Sequence, residues 1–308
     1  MKVVMGGASG LIGTALQESL RADGHEVIRL VRRDARGADE SEWDPARGTI
    51  DAGVIHSADV VVNLAGASIG DKRLTDSYKK VVLKSRLDTT GLIARTMAAT
   101  GSGVLIQASS LGYYGDKGDQ IINERTAPGE TFLSDIVTEW EAAAQPAIDA
   151  GVRTVFLRTG LVLAPHGGFA ERLLPLVTRG LLRSLGSGDA WHSWITLHDH
   201  IRAVRFIIDS DHAGAVNIVA PIAVRNRELI RALSHAAGKG TLFSVPEWVL
   251  KVIVGPAIVD LLTSQLANPG VLKRHGFTWE FPEITSASEW IMSEAGHGPP
   301  TSPAPQAT

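Results

Sequence analysis

The chain opens with a glycine-rich turn between an apolar strand and an amphipathic helix. The strand-like run Lys-Val-Val-Met at 2–5 is apolar from residue 3 and leads directly into the sequence Gly-Gly-Ala-Ser-Gly-Leu-Ile-Gly at 6–13. Gly7, Gly10 and Gly13 permit a tight turn, a close approach of the backbone to a pyrophosphate, and close packing of the helix on its strand. The unpaired N–H groups at the helix start would face the phosphates. The turn predicts a dinucleotide-binding pocket; the simpler alternative is an ordinary loop that needs positive φ.

Composition narrows the class of protein further. The 308 residues are 44% hydrophobic, and their net charge of -3 is spread without a basic stripe, which argues against a nucleic-acid partner. The absence of cysteine excludes disulfides and thiolate chemistry. The most apolar later stretch, 245–262, contains charged residues and a proline, which predicts short buried helices and no membrane span. No leader peptide fits a strand that begins at residue 2, so we expect a cytoplasmic protein. The expected partner is a small-molecule substrate, with neither nucleic acid nor a membrane.

Strand-like and helical runs alternate through the first half. Apolar runs at 26–31, 60–64, 104–108 and 155–158 are separated by helical stretches, of which 75–100 is the longest. Such alternation predicts an α/β fold with a Rossmann-type doubly wound parallel sheet. We expect 139–150 to belong to a further helix and short runs at 194–197 and 215–219 to return to the sheet.

A change of pattern near residue 160 divides the chain. Loops rich in glycine and proline follow that point, with shorter helices. We predict a dinucleotide-binding Rossmann domain over 1–160, with returns near 194–219, and a smaller C-terminal substrate lobe over 161–295. Residues 296–308 lack periodicity and are expected to be a disordered tail.

The end of the second strand indicates which dinucleotide is bound. An acidic residue there would select the free 2′-hydroxyl of the adenosine ribose. This chain has Arg32 and Arg33, whose guanidinium groups favour a 2′-phosphate, and therefore NADP(H). The alternatives are a solvated basic strand end, or a role for Asp34 on a ribose hydroxyl.

Short motifs across nearly the whole chain occur in a specific order and spacing. They include Trp43-Asp44-Pro45, Asn63-Leu64-Ala65-Gly66, Ser85-Arg86, Tyr113-Tyr114-Gly115, Trp140-Glu141, Arg158-Thr159-Gly160, Gly186-Ser187-Gly188 and Ser193-Trp194-Ile195. In this the chain resembles the extended short-chain dehydrogenases/reductases, and among them the atypical NAD(P)-dependent epimerase-family proteins with a C-terminal domain of unknown function.

The resemblance adds cofactor contacts to those read from the glycine turn. It implies that Leu64 and Ala65 pass under the adenosine side, that Arg86 reaches toward the cofactor, and that the backbone around Leu161 lies near the nicotinamide. The predicted cofactor-binding residues are Gly7, Gly10, Leu11, Ile12, Gly13, Arg32, Arg33, Leu64, Ala65, Gly66, Arg86 and Leu161.

The acid–base pair of this superfamily is missing. Its usual members carry Tyr-x-x-x-Lys on one helix face, but aligning Glu141 with the family's glutamate places Leu133 and Val137 at those positions. The tyrosines are at 78, 113 and 114, so none lies on that helix. The spacing Tyr113-x-x-x-Lys117 contains two glycines and predicts a loop instead.

Polar groups at another strand end are the candidates for catalysis. Ser110 ends the run 107–110 and aligns with the family's substrate-binding serine, and Tyr113 and Tyr114 follow it. Ligands bind at the carboxyl ends of parallel strands, so we predict Ser110, Tyr113 and Tyr114 as catalytic residues. The alternative for each tyrosine is packing or a hydrogen bond to backbone.

The second lobe contributes the candidate substrate contacts His192 and Trp194. His192 could join His198 and His200 on a metal, but no supporting motif accompanies them, so we predict no metal. Lys72 and Arg73 could meet an anionic group or be a solvated pair. The sequence thus favours an NADP(H)-dependent oxidoreductase acting on a small carbonyl or alcohol. A non-catalytic NADP(H) sensor or scaffold and a sugar-nucleotide epimerase are the alternatives.

Overall fold

The structure is a computed structural model. It describes residues 1–69, 72, 74–101, 103–245 and 263–297, the side chains at 169–172 and 245 excepted. The helices expected within 245–262, most of the tail and Arg73 lie outside these residues. No helix within the described ranges is long and apolar enough to cross a bilayer.

The described strands and helices alternate along the first half of the chain. The strands are β1 (Lys2–Gly6), β2 (Glu26–Val31), β3 (Glu40–Asp44), β4 (Thr49–Ile50), β5 (Val60–Asn63), β6 (Val104–Ser110), β7 (Ile121–Ile122), β8 (Arg153–Thr159), β9 (Leu161–Leu163), β10 (Leu182–Leu185), β11 (Trp191–His192), β12 (Trp194–Thr196), β13 (Gly214–Ile218), β14 (Val224–Arg225), β15 (Phe243–Val245) and β16 (Leu266–Ala267). The helices are α1 (Leu11–Ala22), α2 (Ala52–His56), α3 (Asp76–Thr100), α4 (Phe132–Ala142), α5 (Gln145–Asp149), α6 (Gly168–Val177), α7 (Leu197–Ile208), α8 (Asn226–Ala236), α9 (Gly270–Arg274) and α10 (Ile284–Glu294).

The main sheet has the Rossmann strand order. Among the described residues its eight strands run β13-β8-β6-β5-β1-β2-β3-β4, and every pair is parallel except β3 with β4. The order reverses at β1, which lies between β2 and β5, so a crevice forms at the carboxyl ends of these strands. Apolar clusters lie on both faces of the sheet. The predicted fold class is confirmed.

One sequence expectation about strands needs correction, and one strand was not predicted. Residues 214–218 do join the sheet, but the run at Trp194 does not: β12 pairs with β9 in a separate two-stranded sheet. The chain leaves the main sheet at Gly160, where a Cβ would lie 2.3 Å from the carbonyl oxygen of Ser193. Sequence periodicity also missed β3, whose residues Glu-Ser-Glu-Trp-Asp are mostly polar.

Helices of the second half cover their own apolar cluster. Leu174 of α6, Leu229 of α8 and Ile291 of α10 belong to it, together with Leu182 and Trp194. The run predicted over 139–150 is divided between α4 and α5, and α4 already begins at Phe132. The boundary proposed near residue 160 stays a prediction.

Candidate functional site

The three glycines of the first turn have different surroundings. Gly7 has φ +76°, and a Cβ there would lie 2.6 Å from the carbonyl group of Leu64. A Cβ at Gly13 would lie 2.3 Å from the Gly7 carbonyl oxygen. Gly10 has φ -79°, and its Cβ would meet only the Gly7 oxygen, at 3.5 Å. The fold therefore requires glycine at 7 and 13, whereas at 10 the space beside the backbone is open.

A cavity of about 870 Å³ opens beside this turn at the carboxyl ends of β1 and β2. Its lining includes, from the predicted set, Gly7, Gly10, Arg32, Arg33, Leu64, Ala65 and Gly66. The volume falls within the range of about 300–1,000 Å³ that is usual for ligand sites. The cavity, the open side of Gly10 and the N-terminus of α1 together fit a dinucleotide.

Other predicted cofactor residues are not among those that line this cavity. Gly13 is buried in the turn, and Ile12 packs against the core under the sheet. The side chain of Leu11 lies against Gly167 and Gly168. Leu161 lines a second, smaller cavity.

The two arginines that follow β2 differ in their hydrogen-bond partners and exposure. Arg33 makes two hydrogen bonds of 2.7 Å to the buried carboxylate of Glu40, which also pairs with Arg29. The hydrogen bonds from Arg33 lower the pKa of Glu40 to about 2, so this carboxylate stays ionised. Arg32 is exposed on the cavity wall, and none of the described residues pairs with it. Arg33 nevertheless lines the cavity, so the contact of both guanidiniums with a 2′-phosphate stays a prediction, in which Arg33 keeps its bonds to Glu40.

Arg86 holds a loop rather than reaching into the cavity. Its guanidinium donates to the carbonyl oxygens of Ala67 and Val82, at 2.9 and 3.1 Å, and lies over the Trp140 ring. Burial lowers the pKa of Arg86 to about 10. Arg86 is not among the residues that line the large cavity, but its side chain lies beside Gly66, which does line it, so its reach toward a cofactor stays a prediction.

The smaller cavity, of about 150 Å³, lies at the carboxyl end of β6 and β8. Ser110 and Thr159 line it from the sheet, and Leu161, Trp191 and His192 from the segment beyond. Every described residue of its wall is uncharged at neutral pH: the remainder are Leu111, Gly112, Gly160, Ser193, Thr263 and Gln265. The predicted Ser110 and His192 are thus brought together with Leu161.

The helix that should carry an acid–base pair is present but aliphatic. Leu133 and Val137 lie on α4, and both approach Gly112 within 3.7 Å of the position that a Cβ would take there. Gly112 lines the small cavity. Neither side chain can exchange a proton. Lys117 of the alternative spacing lies in a loop, as expected, because Gly115 and Gly118 both have positive φ.

Tyr114 is buried away from the small cavity. Its side chain is 0% exposed, and its hydroxyl donates to Asn217 at 2.8 Å and accepts from Arg158 at 3.0 Å. Burial raises the pKa of Tyr114 to about 12. The predicted catalytic role of Tyr114 is therefore corrected: its hydroxyl is fully used in a structural network.

Two other residues predicted for the site do not line the small cavity. The Tyr113 ring lies under the Arg158 guanidinium, 3.4 Å from it, and is absent from the cavity wall. Trp194 is 0% exposed and donates to the carbonyl oxygen of Ile222, so it belongs to the core and its predicted substrate contact is wrong.

The histidines of the second lobe have separate partners. His192 lies 3.0 Å from the Asn226 amide, His198 pairs with Glu280, and His200 lies 3.1 Å from the Thr159 hydroxyl. No group of three potential metal ligands occurs among the described residues. Burial lowers the pKa of both His192 and His200 to about 4.

Sequence reasoning missed several residues of the small cavity. Thr159 and Gln265 line it, and Asn226 supports His192 from behind. Thr159 stands at the end of a parallel strand, which is a usable signal. Gln265 and Asn226 come from distant segments with no local motif, so only the fold reveals them.

Comparison with known proteins agrees with this geometry. Residues 3–219 match the NAD dependent epimerase/dehydratase family, and residues 245–291 match a domain of unknown function (DUF1731). The epimerase family protein Mb2239 of Mycobacterium bovis is 37% identical over 296 residues, which is 96% of this chain and 98% of that protein. The human epimerase family protein SDR39U1 is 32% identical over 300 residues, 95% of this chain and 100% of its own length.

Solved structures give the same result. The crystal structure of human SDR39U1 with NADPH superposes with a TM-score of 0.86 at 31% identity, covering 95% of this chain and 99% of that one. UDP-N-acetylglucosamine 4-epimerase from Bacillus cereus superposes with a TM-score of 0.74 at 17% identity, covering 96% and 99%, and shows the fold alone. The family resemblance seen in the sequence is confirmed.

Proposed function

Because the chain belongs to the NAD dependent epimerase/dehydratase family, we propose that it is an NADP(H)-dependent oxidoreductase acting on a small carbonyl or alcohol. The observation that carries this proposal is the glycine turn, where the single open glycine, Gly10, faces a large cavity at the reversal of strand order. The exposed Arg32 on the same wall supports NADP(H) over NAD(H), since it would meet a 2′-phosphate. The NADPH bound to human SDR39U1 is consistent with this choice.

The small cavity is the proposed place of reaction. Bound NADP(H) supplies or accepts a hydride there. In the reducing direction the carbonyl carbon gains the hydride with its electron pair, and the carbonyl oxygen gains a proton. Ser110 Oγ accepts the N–H of Gly112 at 3.0 Å, which orients its own O–H toward other acceptors. Ser110 passes its proton to the oxygen and is reprotonated from water, and orientation in the cavity contributes much of the rate.

The uncharged cavity also favours a second candidate. Its described wall offers only weakly acidic hydroxyls such as that of Ser110, and the one histidine, His192, stays neutral near pH 7, so proton transfer here is slow. A non-catalytic NADP(H)-binding sensor would have the same features. A sugar-nucleotide epimerase fits less well, because it must oxidise and re-reduce one carbon without the tyrosine and lysine that Leu133 and Val137 replace.

Cofactor consumption separates these candidates. NADPH oxidation is followed with purified protein and a panel of small aldehydes and ketones, with Gly10→Val as the control that lacks cofactor. We expect the wild-type protein to oxidise NADPH with at least one carbonyl of the panel and the Gly10→Val variant to oxidise it with none. NADPH binding by calorimetry without turnover of any carbonyl would instead favour the sensor.

A further inference from the structure

The side-chain amide of Asn226 has a fixed orientation. Its Oδ1 accepts the backbone N–H of Leu185 at 2.8 Å, and the residue is 1% exposed at the start of α8. A flipped amide would bring its NH₂ group against that N–H, two donors with no acceptor between them. The Nδ2 group of Asn226 therefore always points the other way.

That Nδ2 group faces the ring of His192. The distance from Asn226 Nδ2 to His192 Nε2 is 3.0 Å. An amide nitrogen only donates, so Nε2 must accept and must carry no proton. A neutral imidazole then carries its proton on Nδ1, and a doubly protonated ring would place two donors face to face. Burial acts in the same direction and lowers the pKa of His192 to about 4.

The ring thus offers one N–H donor from a residue that lines the small cavity. None of the described residues accepts a hydrogen bond from His192 Nδ1, and β11 holds the backbone by pairing His192 with Val224. The Ser110 hydroxyl lines the same cavity.

The lack of charge on the described cavity wall restricts which ligands can accept hydrogen bonds from His192 and Ser110. Its described wall has no cation, and Arg225, which lies over the outer Trp191 ring, is paired with Asp119. A carboxylate or phosphate here would lose its hydration without gaining a counter-ion, which costs far more than burying an uncharged carbonyl with hydrogen bonds.

We propose that His192, held in its Nδ1–H tautomer by Asn226, is a permanently neutral hydrogen-bond donor to the oxygen of an uncharged aldehyde or ketone. Asn226 is a positioning residue, since it acts only through the ring. The proposal deepens the proposed function and rests on it for the reaction, because it names the substrate class of the same cavity. We expect no carboxylate or phosphate group against His192, because no cation lies among the described residues of this wall.

Nitrogen-15 NMR of the full-length protein tests the tautomer without any turnover. At neutral pH we expect a pyrrole-type Nδ1 and a pyridine-type Nε2 for His192, assigned by their absence in His192→Asn. In Asn226→Asp a carboxylate faces Nε2, so this nitrogen should become protonated. A wild-type Nε2 of pyrrole type would overturn the proposal, as would an unchanged Nε2 in Asn226→Asp that circular dichroism shows to be folded.

Two isosteric probes test the ligand class. Isobutyramide is an uncharged carbonyl that NADPH does not reduce, and isobutyrate has nearly the same shape with a charge. With NADPH bound, we expect the amide to shift the His192 Nδ1 resonance and isobutyrate to leave it unchanged. A shift with isobutyrate, or with neither probe, would refute the substrate class even if NADPH-dependent turnover is found elsewhere.

Kinetics then test the donor itself on whichever carbonyl the protein reduces. Losing one preorganised donor to a developing oxyanion typically costs about 10²–10³-fold in rate. We expect His192→Leu to lose kcat/KM in that range, and His192→Asn, whose amide offers an N–H near the Nδ1 position, to recover much of it. Equal loss in both variants, with NADPH affinity intact, would contradict the donor role. Absence of turnover in the wild-type protein would instead count against the proposed function, and the amide shift would still decide the proposal.

Discussion

The guanidinium of Arg158 and the carboxylate of Glu141 form two hydrogen bonds, of 2.9 and 2.8 Å, in the interior of the protein. Ser109 donates to the same carboxylate at 2.5 Å, and Arg158 continues to the hydroxyl of Tyr114. Burial alone would lower the pKa of Arg158, but the hydrogen bonds and charge of Glu141 raise it above its ordinary value. The pair therefore ties α4 to β6 and β8 directly behind the candidate site.

Removing one member of this pair should destabilise the fold strongly. Glu141→Gln leaves a buried guanidinium without its counter-charge, which typically costs about 3–5 kcal/mol. Urea unfolding measures the free energy of unfolding. The control is Asp88→Asn in the exposed Lys84–Asp88 pair, where we expect a loss below about 1 kcal/mol. Equal losses in the two variants would show that the interior pair is not special.

The two glycines at the start of α1 should respond differently to substitution. Gly10→Val places its side chain in the open cavity, so we expect a folded protein that no longer binds NADPH. Gly13→Ala forces a Cβ against the Gly7 oxygen, so we expect loss of stability. Circular dichroism and calorimetric titration separate the outcomes. Normal NADPH binding by Gly10→Val would place the cofactor elsewhere.

Buried neutral histidines should make the protein less stable in mild acid. His200 has a folded pKa of about 4 against an ordinary 6.5, so between these values the unfolded state binds more protons. The free energy of unfolding then decreases as pH falls from about 6.5 toward 4, by up to about 1.4 kcal/mol per pH unit for such a group. Denaturation at several pH values should show a shallower slope for His200→Gln than for wild type. His56→Gln, at an exposed position, is the matched control for the substitution itself, and a His200→Gln protein with the wild-type slope would refute the assignment.

Substitution of Ser110 should lower the reaction rate, whereas substitution of Tyr114 should lower the stability of the fold. Ser110→Ala removes the hydroxyl at the cavity, and loss of a positioned proton donor typically costs about 10²–10⁴-fold in rate. Tyr114→Phe leaves Arg158 and Asn217 short of a partner, which should lower the free energy of unfolding by about 1–3 kcal/mol and leave kcat nearly unchanged. The measurements are steady-state kinetics on the same carbonyl and urea unfolding. A large fall in kcat for Tyr114→Phe would return that tyrosine to the reaction.

Local sequence patterns were sufficient to predict most strands of the main sheet. Strand β2 was predicted at 26–31 and found at Glu26–Val31, because buried parallel strands are continuous apolar runs. Strand β3 was missed because its side chains are mostly polar. It is a strand because its backbone pairs with β2. The run at Trp194 has the apolar character of a strand of the main sheet, but it pairs with β9. This pairing follows from the turn at Gly160, where the chain leaves the main sheet.

The cofactor side of the site was easier to predict than the reaction side. The glycine turn is local, and its lining residues follow from it. Tyr114 and Trp194 are adjacent in sequence to cavity residues, yet their side chains point into the core, which local sequence does not reveal. The sequence did not reveal that Arg33 binds Glu40, because Glu40 lies on the strand that was missed.

The proposed reaction requires NADP(H) in the cavity beside Gly10, and calorimetric titration of the wild-type protein with NADPH and NADH tests that claim most directly. A charge-assisted contact contributes about 1.5–3 kcal/mol, so the 2′-phosphate on Arg32 should make NADPH bind about tenfold or more tightly than NADH. The double variant Arg32→Ala with Arg33→Ala should lose that preference. Equal affinity of the wild-type protein for the two cofactors would contradict the account.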